Sequence, residues 1–257
     1  MFKIVTINFL VVLFFLNTGN LFGQDERFKF IGVESGMDFQ DCKIPEYDFI
    51  RGDIPSYGTD NRVTNPLVYF HKWYAGIKIE RRSKNNKVGL LTGLRYTRIN
   101  SSFGKSYTWL DNDGYFYLLY KQEGTTTEYL KIKEVNQYSD YLGIPVEIRH
   151  FPFNPRFFRF FLKAAAEFNY RLSTTNDVVF NNDKMESFQA GVAEKFGEPD
   201  NFFSMLYFAL GLKLGNDNKT NVSLEAVFPS FYLSDNTSSL VIPQYGGGFQ
   251  INIQIPF

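Results

Sequence analysis

Cysteine is nearly absent: Cys42 stands alone in 257 residues. A single thiol excludes an internal disulfide framework and any zinc site built on cysteine. Histidine is almost as scarce. His71 and His150 are the only two, too few for ordinary metal chemistry. Net charge is lacking as well, since 27 Lys and Arg balance 27 Asp and Glu. A general nucleic-acid binder carries a basic surplus, so no nucleic-acid partner is expected. Beyond the first residues no long apolar run occurs, which excludes a transmembrane helix there. It does not exclude a membrane β-barrel, whose strands show only alternation over ~10-residue segments.

The chain begins as a targeting segment. Met1-Phe2-Lys3 supplies one positive charge, INFLVVLFFL an apolar core, and NTGNLFGQ a small and polar exit. This is the pattern of a cleaved secretory signal peptide, with cleavage near Gly23 or Gln24. The apolar run is short for a membrane anchor, which needs ~20 residues. No Cys lies near residue 20 to carry a lipid. The expected division is therefore a signal peptide over 1–24 and one domain over 25–257.

What is abundant is the aromatic ring: 29 Phe and 16 Tyr bring aromatics to 18%. Many sit in two-residue alternation, the signature of strands. In RFFRFFLKAAAEFNYRL, Phe158, Phe160, Leu162, Ala164, Ala166, Phe168 and Tyr170 share one face. Arg159, Phe161, Lys163, Ala165, Glu167, Asn169 and Arg171 share the other. YLGIPVEIRHF, TNVSLEAVF, SMLYFALGLKLG, WYAGIKIE and KVGLLTGLRYT divide in the same way, and FKFIGVESGM gives a weaker strand. The closing GGGFQINIQIPF alternates to its last residue, with Phe249, Ile251, Ile253, Ile255 and Phe257 on one face.

The faces opposite the apolar ones carry glycine and charge. Glu34, Glu80, Glu147, Glu167 and Glu225 stand against Lys78, Arg95, Arg149, Arg159, Lys163 and Lys213. Buried charges persist only when paired. Five acids beside six bases suit a narrow barrel interior filled by side chains. Connections alternate between tight turns at 83–86, 152–156 and 215–219 and long irregular stretches at 39–69, 104–127, 174–201 and 234–246. Short turns on one rim and long loops on the other are what a membrane barrel shows. The expected fold is all-β: an eight-stranded antiparallel transmembrane β-barrel of the up-and-down, OmpA/OmpX-like kind. Ten strands result if YFYLLYK and TTTEYLKIKEV span separately, but the first is short, and the two read better as an extension and hairpin above the membrane. A soluble β-sandwich is the structural rival. Closure of a barrel pairs its last strand with its first, so the alternating terminus has a place inside the sheet.

At YLGIPVEIRHFPFNPRFFRFFLKAAAEFNYRL (141–172) the chain resembles the PorT-like outer-membrane β-barrel family common in Bacteroidota. Tyr141, Leu142, Ile144 and Pro145 match its Tyr-Leu-x-Ile-Pro strand, with Gly143 where a Glu is often seen. The terminal aromatic resembles the signal read by the barrel-assembly machinery, with Pro256 as a departure. The resemblance implies a small barrel in the outer membrane, with outer-membrane lipid and the assembly machinery as partners. Some members serve a protein-secretion apparatus, so secretion-complex subunits are implied as partners too. The expectation is a non-enzymatic outer-membrane protein whose loops bind a partner or support the envelope. A secretion or assembly subunit and a narrow channel or porin are the alternatives.

Smaller motifs have plainer readings. Arg51-Gly52-Asp53 spells the adhesion tripeptide, but three residues match by chance. Asp111-Asn112-Asp113-Gly114 starts like a calcium loop yet lacks the Glu twelve positions along, and reads as a turn. His71 and His150 fall on the lipid-facing parity, where interfacial residues sit, and neither has a Ser two residues on for esterase chemistry. Met185, Phe188, Val192 and Phe196 recur at helical spacing, as in a short helix packed on the barrel mouth. No catalytic, cofactor-binding or metal-binding residue is assigned.

Overall fold

A computed structural model describes residues 29–51, 67–105, 115–124, 126–153, 157–234 and 236–257. The signal segment, Gly52 and Asp53 of the tripeptide, and the turn at 111–114 lie outside these residues. The strands are β1 (Lys29–Lys43), β2 (Ile50–Arg51), β3 (Leu67–Arg82), β4 (Val88–Lys105), β5 (Phe116–Glu123), β6 (Thr126–His150), β7 (Phe158–Phe180), β8 (Phe202–Leu214), β9 (Asn221–Tyr232) and β10 (Ile242–Pro256). A 3-10 turn (Asp183–Phe188) and helix α1 (Gln189–Phe196) stand between β7 and β8.

Eight of these strands form a closed ring in the order β1-β3-β4-β6-β7-β8-β9-β10, and β10 returns to β1. Every pairing is antiparallel. β5 lies outside the ring, folded as a hairpin on residues 126–132 of β6, and β2 adds a two-residue strip to it. The protein is therefore an eight-stranded up-and-down barrel, and the extra strands are the extension and hairpin expected at one rim. The seam runs from Phe30 opposite Pro256 to Lys43 opposite Ile242. Phe257 donates its backbone N–H to the Lys29 carbonyl at 3.0 Å, one step beyond Pro256, whose missing donor falls at the ladder's end.

Two rims differ in kind. Residues 83–87, 151–153, 157 and 215–220 gather with Lys29 and Pro256 at a turn rim. Residues 44–49, 181–201, 233–234 and 236–241 and the β5–β6 hairpin gather at a loop rim. Several strands run further toward the loop rim than expected. β1 reaches Lys43, β4 reaches Lys105, β7 reaches Phe180 and β10 begins at Ile242, inside stretches read from sequence as irregular. The reason is continued pairing, as β6 holds both β4 and β7 well above the apolar belt. Likewise β1, read as weak, pairs with β3 from Lys29 to Gln40 and with β10 from Phe30 to Lys43.

Outside, the wall is apolar. Phe160 and Leu210 are 61% and 65% exposed, and Ile31, Val33, Ile77, Ile144, Leu162, Phe208, Leu224 and Ile251 are exposed beside them. Rings flank this belt: Phe153, Phe157, Phe158 and Phe257 toward the turn rim, Trp73, Tyr170, Phe202 and Tyr245 toward the loop rim. An apolar surface encircling the molecule is far beyond what a protein in water exposes. Closure leaves the ring no unpaired edge, the condition for crossing hydrocarbon with strands. The barrel is a membrane-spanning one, with its polar faces turned inward.

The narrow bore also sets residue size. A Cβ at Gly93 would lie 1.9 Å from the Ile77 carbonyl oxygen, and one at Gly211 would lie 2.1 Å from the Phe161 ring. Both glycines let a neighbour occupy space that a side chain would need.

Candidate functional site: a charged interior under an apolar plug

The inward parity of the strands decides what fills the bore. All eleven charges singled out by alternation (Glu34, Lys78, Glu80, Arg95, Glu147, Arg149, Arg159, Lys163, Glu167, Lys213 and Glu225) are buried inside the ring. Four more join them that the sequence reading passed over: Asp38, Lys72, Arg82 and Asp217. The interior thus holds seven carboxylates and eight cationic side chains among the described residues.

They stack in layers. Nearest the turn rim, Asp217 reaches in from the β8–β9 turn and receives Arg82 at 2.6 Å, Arg159 at 2.5 Å and Lys213. Burial alone would raise the Asp217 carboxyl, but the Lys213 hydrogen bond and the surrounding cations outweigh it and hold it down at about 2. Arg82 also donates to Glu80 and lies between the Phe30 and Phe151 rings, 4.2 and 4.8 Å from their centres. In the next layer Arg149 bridges Glu80 at 3.2 Å and Glu225 at 2.6 Å, and Lys163 pairs with Glu225.

Arg95 is the hub of the third layer. Its guanidinium meets Glu34 through two hydrogen bonds of 2.8 and 2.9 Å, Glu147 at 3.1 Å, and Glu167. The Tyr74 ring stacks on it at 4.2 Å. Lys78 ties Glu34 to Glu147. Tyr207 donates to Glu147 at 2.6 Å, and Gln250 donates to Glu34 at 2.8 Å. Lys72 closes the layer against Asp38 at 3.0 Å and Glu167 at 3.2 Å. In a medium that cannot solvate them, these groups are held by one another.

Above Lys72 the character changes. Phe70, Tyr232, Phe203 and Tyr141 form a ladder of rings with centres 5.3, 5.5 and 4.7 Å apart. Higher still, Phe103 packs edge-on to Phe116 at 4.9 Å, and Phe196 of α1 meets Tyr47 at 5.4 Å and Phe49 at 5.2 Å. Leu118, Leu130, Ile132, Val135, Val192, Leu240 and Val241 complete this apolar cluster. The helix expected from Met185, Phe188, Val192 and Phe196 is present. Val192 and Phe196 are buried, and Met185 and Phe188 pack against the cluster.

A polar clasp fixes the plug. Gln137 donates to the Ser239 hydroxyl at 2.6 Å and accepts from Ser238 at 3.2 Å and from the Ser239 N–H at 3.0 Å. Tyr47 donates to the Ser239 carbonyl at 2.6 Å, and Ser239 donates to the Gly197 carbonyl at 3.2 Å. Three segments far apart in sequence are thereby drawn into the mouth: residues 44–50, 189–197 and 236–241.

The remaining candidates spread out. Tyr141 is buried in the ring ladder, Leu142 and Ile144 face outward, and Pro145 faces inward. The β4–β6 ladder is interrupted between Thr92–Val146 and Arg95–Gly143, around the donor that Pro145 lacks. Phe249, Ile251, Ile253, Ile255 and Phe257 line the outer face of the seam. His71 lies 2.9 Å from Asn100 and His150 is exposed near the turn rim, well apart. Among the described residues no group of three His, Cys, Asp or Glu side chains is arranged to hold a metal.

No protein-family model and no curated protein matches the chain. Among solved structures it is similar to the outer membrane protein OprG from Pseudomonas aeruginosa, with 9% identity and a TM-score of 0.36 over 91% of this chain and 95% of that one. It is also similar to Ail, the attachment invasion locus protein of Yersinia pestis, with 11% identity and a TM-score of 0.29 over 91% and 100%. At such scores the fold rests on the closed ring itself.

Proposed function

We propose that the protein is a closed, non-enzymatic barrel of an outer membrane that acts through its loop-rim surface and conducts nothing through its bore. The observation that carries this is the double filling of the interior, with ion-paired charges below and an apolar plug above. In this reading the turn rim faces the periplasm and the loop rim faces outward, as the short-turn and long-loop asymmetry of bacterial barrels requires. The N-terminal segment directs export and is removed, and the alternating terminus is read by the assembly machinery.

The loop-rim surface offers its partner an acidic face. Around α1, Asp177, Asp183, Glu186, Glu194, Glu198 and Asp200 are exposed, against Lys184 and Lys195. A partner with a cationic patch fits that surface and would be steered to it at low salt. The Tyr141-Leu142-Gly143-Ile144-Pro145 strand supports a finer version, in which the partner is a subunit of a secretion apparatus.

Planar-bilayer recording tests the closed bore. Flat traces at high protein load are expected, and steady conductance would overturn the proposal. Crosslinking from cysteines placed on α1 identifies the partner. Loss of secreted proteins on deleting the gene would place the barrel in a secretion apparatus, and normal secretion would remove that version.

A further inference from the structure

The outer wall differs around its circumference, and one sector is built differently from the rest. Across β3, β1 and β10 the outward residues form rows set by register. Ile79, Ile31 and Ile255 make one row, and Ile77, Val33 and Ile253 the next. The row beyond is low, Ala75 and Ser35 beside Ile251, and the one after it is Trp73, Met37 and Phe249. Elsewhere the belt is dominated by Phe, Leu and Tyr. Here aliphatic side chains border a groove of about 320 Å³ lined by Ile31, Gly32, Val33, Ile77, Ile253 and Ile255.

Directly beyond the Ile79–Ile31 row, at the turn rim, Lys29 stands opposite Arg81 on the same outward face. Both are exposed. Like charges directly opposite on paired strands repel. Among the described residues no carboxylate forms an ion pair with either. Two facing cations at the edge of an apolar groove call for an anion whose body continues into hydrocarbon.

We propose that this sector is a binding site for one anionic phospholipid of the turn-rim leaflet. Its phosphate sits between Lys29 and Arg81, and an acyl chain lies in the Ile31–Ile77–Ile253 groove and runs over Ser35 and Ala75. Arg81 supplies the planar fork that matches a phosphate, and Lys29 supplies a point charge. The chain stacks against β-branched side chains that hold few rotamers and keep the groove open. The leaflet assignment rests on the orientation proposed above.

The test reconstitutes the mature chain in nanodiscs of mixed phosphatidylcholine and phosphatidylglycerol and counts retained lipids by native mass spectrometry. One phosphatidylglycerol retained preferentially per barrel is expected. The double variant Lys29→Gln/Arg81→Gln should lower that preference about tenfold. Ser35→Trp, which blocks the low row the chain crosses beyond the groove and leaves the charges in place, should lower retention of both lipids at this site. Lys87→Gln/Lys219→Gln, on the same rim but off the groove, should change nothing. Equal losses in the two charge variants would overturn the site in favour of diffuse rim electrostatics. Heat-dependent gel migration keeps the readings apart. A chain that never shows the compact unboiled band defeats the barrel reading, whereas a compact band without lipid preference defeats this site alone.

Discussion

The two halves of the bore solve the same problem with opposite chemistry. Both must fill a tube too narrow for bulk water. The turn-rim half does so with charges from seven strands locked in mutual pairs, and the loop-rim half with rings and aliphatic side chains brought in from loops. The difference follows from where the material comes from. Strand positions in the lower half are fixed by the ladder, so long Arg and Lys side chains can be aimed to within hydrogen-bond distance of set carboxylates. The upper half is completed by segments 44–50, 189–197 and 236–241, whose apolar contacts tolerate small shifts that a salt bridge would not.

The contrast can be broken most severely at its hub. Arg95→Met leaves Glu34, Glu147 and Glu167 short of a shared partner, and removing one side of a buried pair costs roughly 3–5 kcal/mol. Urea unfolding in vesicles, followed by tryptophan fluorescence, should show that loss. Phe196→Ala in the plug should cost about 3 kcal/mol at most, because the loops can settle into the space. Its clearer mark is faster proteolysis of residues 181–201 with the compact gel band retained. Equal unfolding of ring and plug in both variants would mean the halves are one cooperative unit.

Acid sharpens the comparison from the turn-rim side. Asp217 sits with its carboxyl lowered to about 2, so it stabilises the fold above its ordinary value and releases that contribution as pH falls from about 4 toward 2. The unfolding midpoint of the wild type should drop over that interval, and Asp217→Asn should start lower and lose the part of the slope owed to this group. The smallest effect belongs to a pair outside the bore. Arg98 meets Asp140 at 2.8 Å but is 47% exposed, and Arg98→Ala should cost below ~1 kcal/mol. A cost near that of Arg95→Met would mean that burial is not what makes the interior pairs strong.

Much of this was legible in the chain. Two-residue alternation assigns Lys78, Glu80 and Arg95 to the inside and Ile77, Ile79 and Leu94 to the outside, because a pleat permits only one register where one face meets lipid. The missed charges have a common cause. Lys72 and Arg82 continue the Lys78–Glu80 parity just past the ends assigned to that strand, and Asp38 does the same past Glu34. Asp217 comes from a turn, where no parity exists. The plug was hidden for another reason. Phe70 and Phe103 lie just past the assigned strand ends, Val135 ends the hairpin read as standing above the membrane, Val178 falls in a stretch read as a loop, and their partners Leu240 and Val241 lie in a loop whose inward course only the Gln137 clasp reveals.

The seam has a consequence in time. Gln250 bonds to Glu34 across 216 positions of sequence, and the same Glu34 pairs with Lys78 and Arg95. Until β10 arrives, the growing sheet has two raw edges, and its acids and bases have only part of their neutralising company. Contacts this remote are entropically expensive to bring together and are made slowly. The molecule is therefore a clasp rather than a stack. Its early strands wait, in need of shelter, for the moment its ends meet.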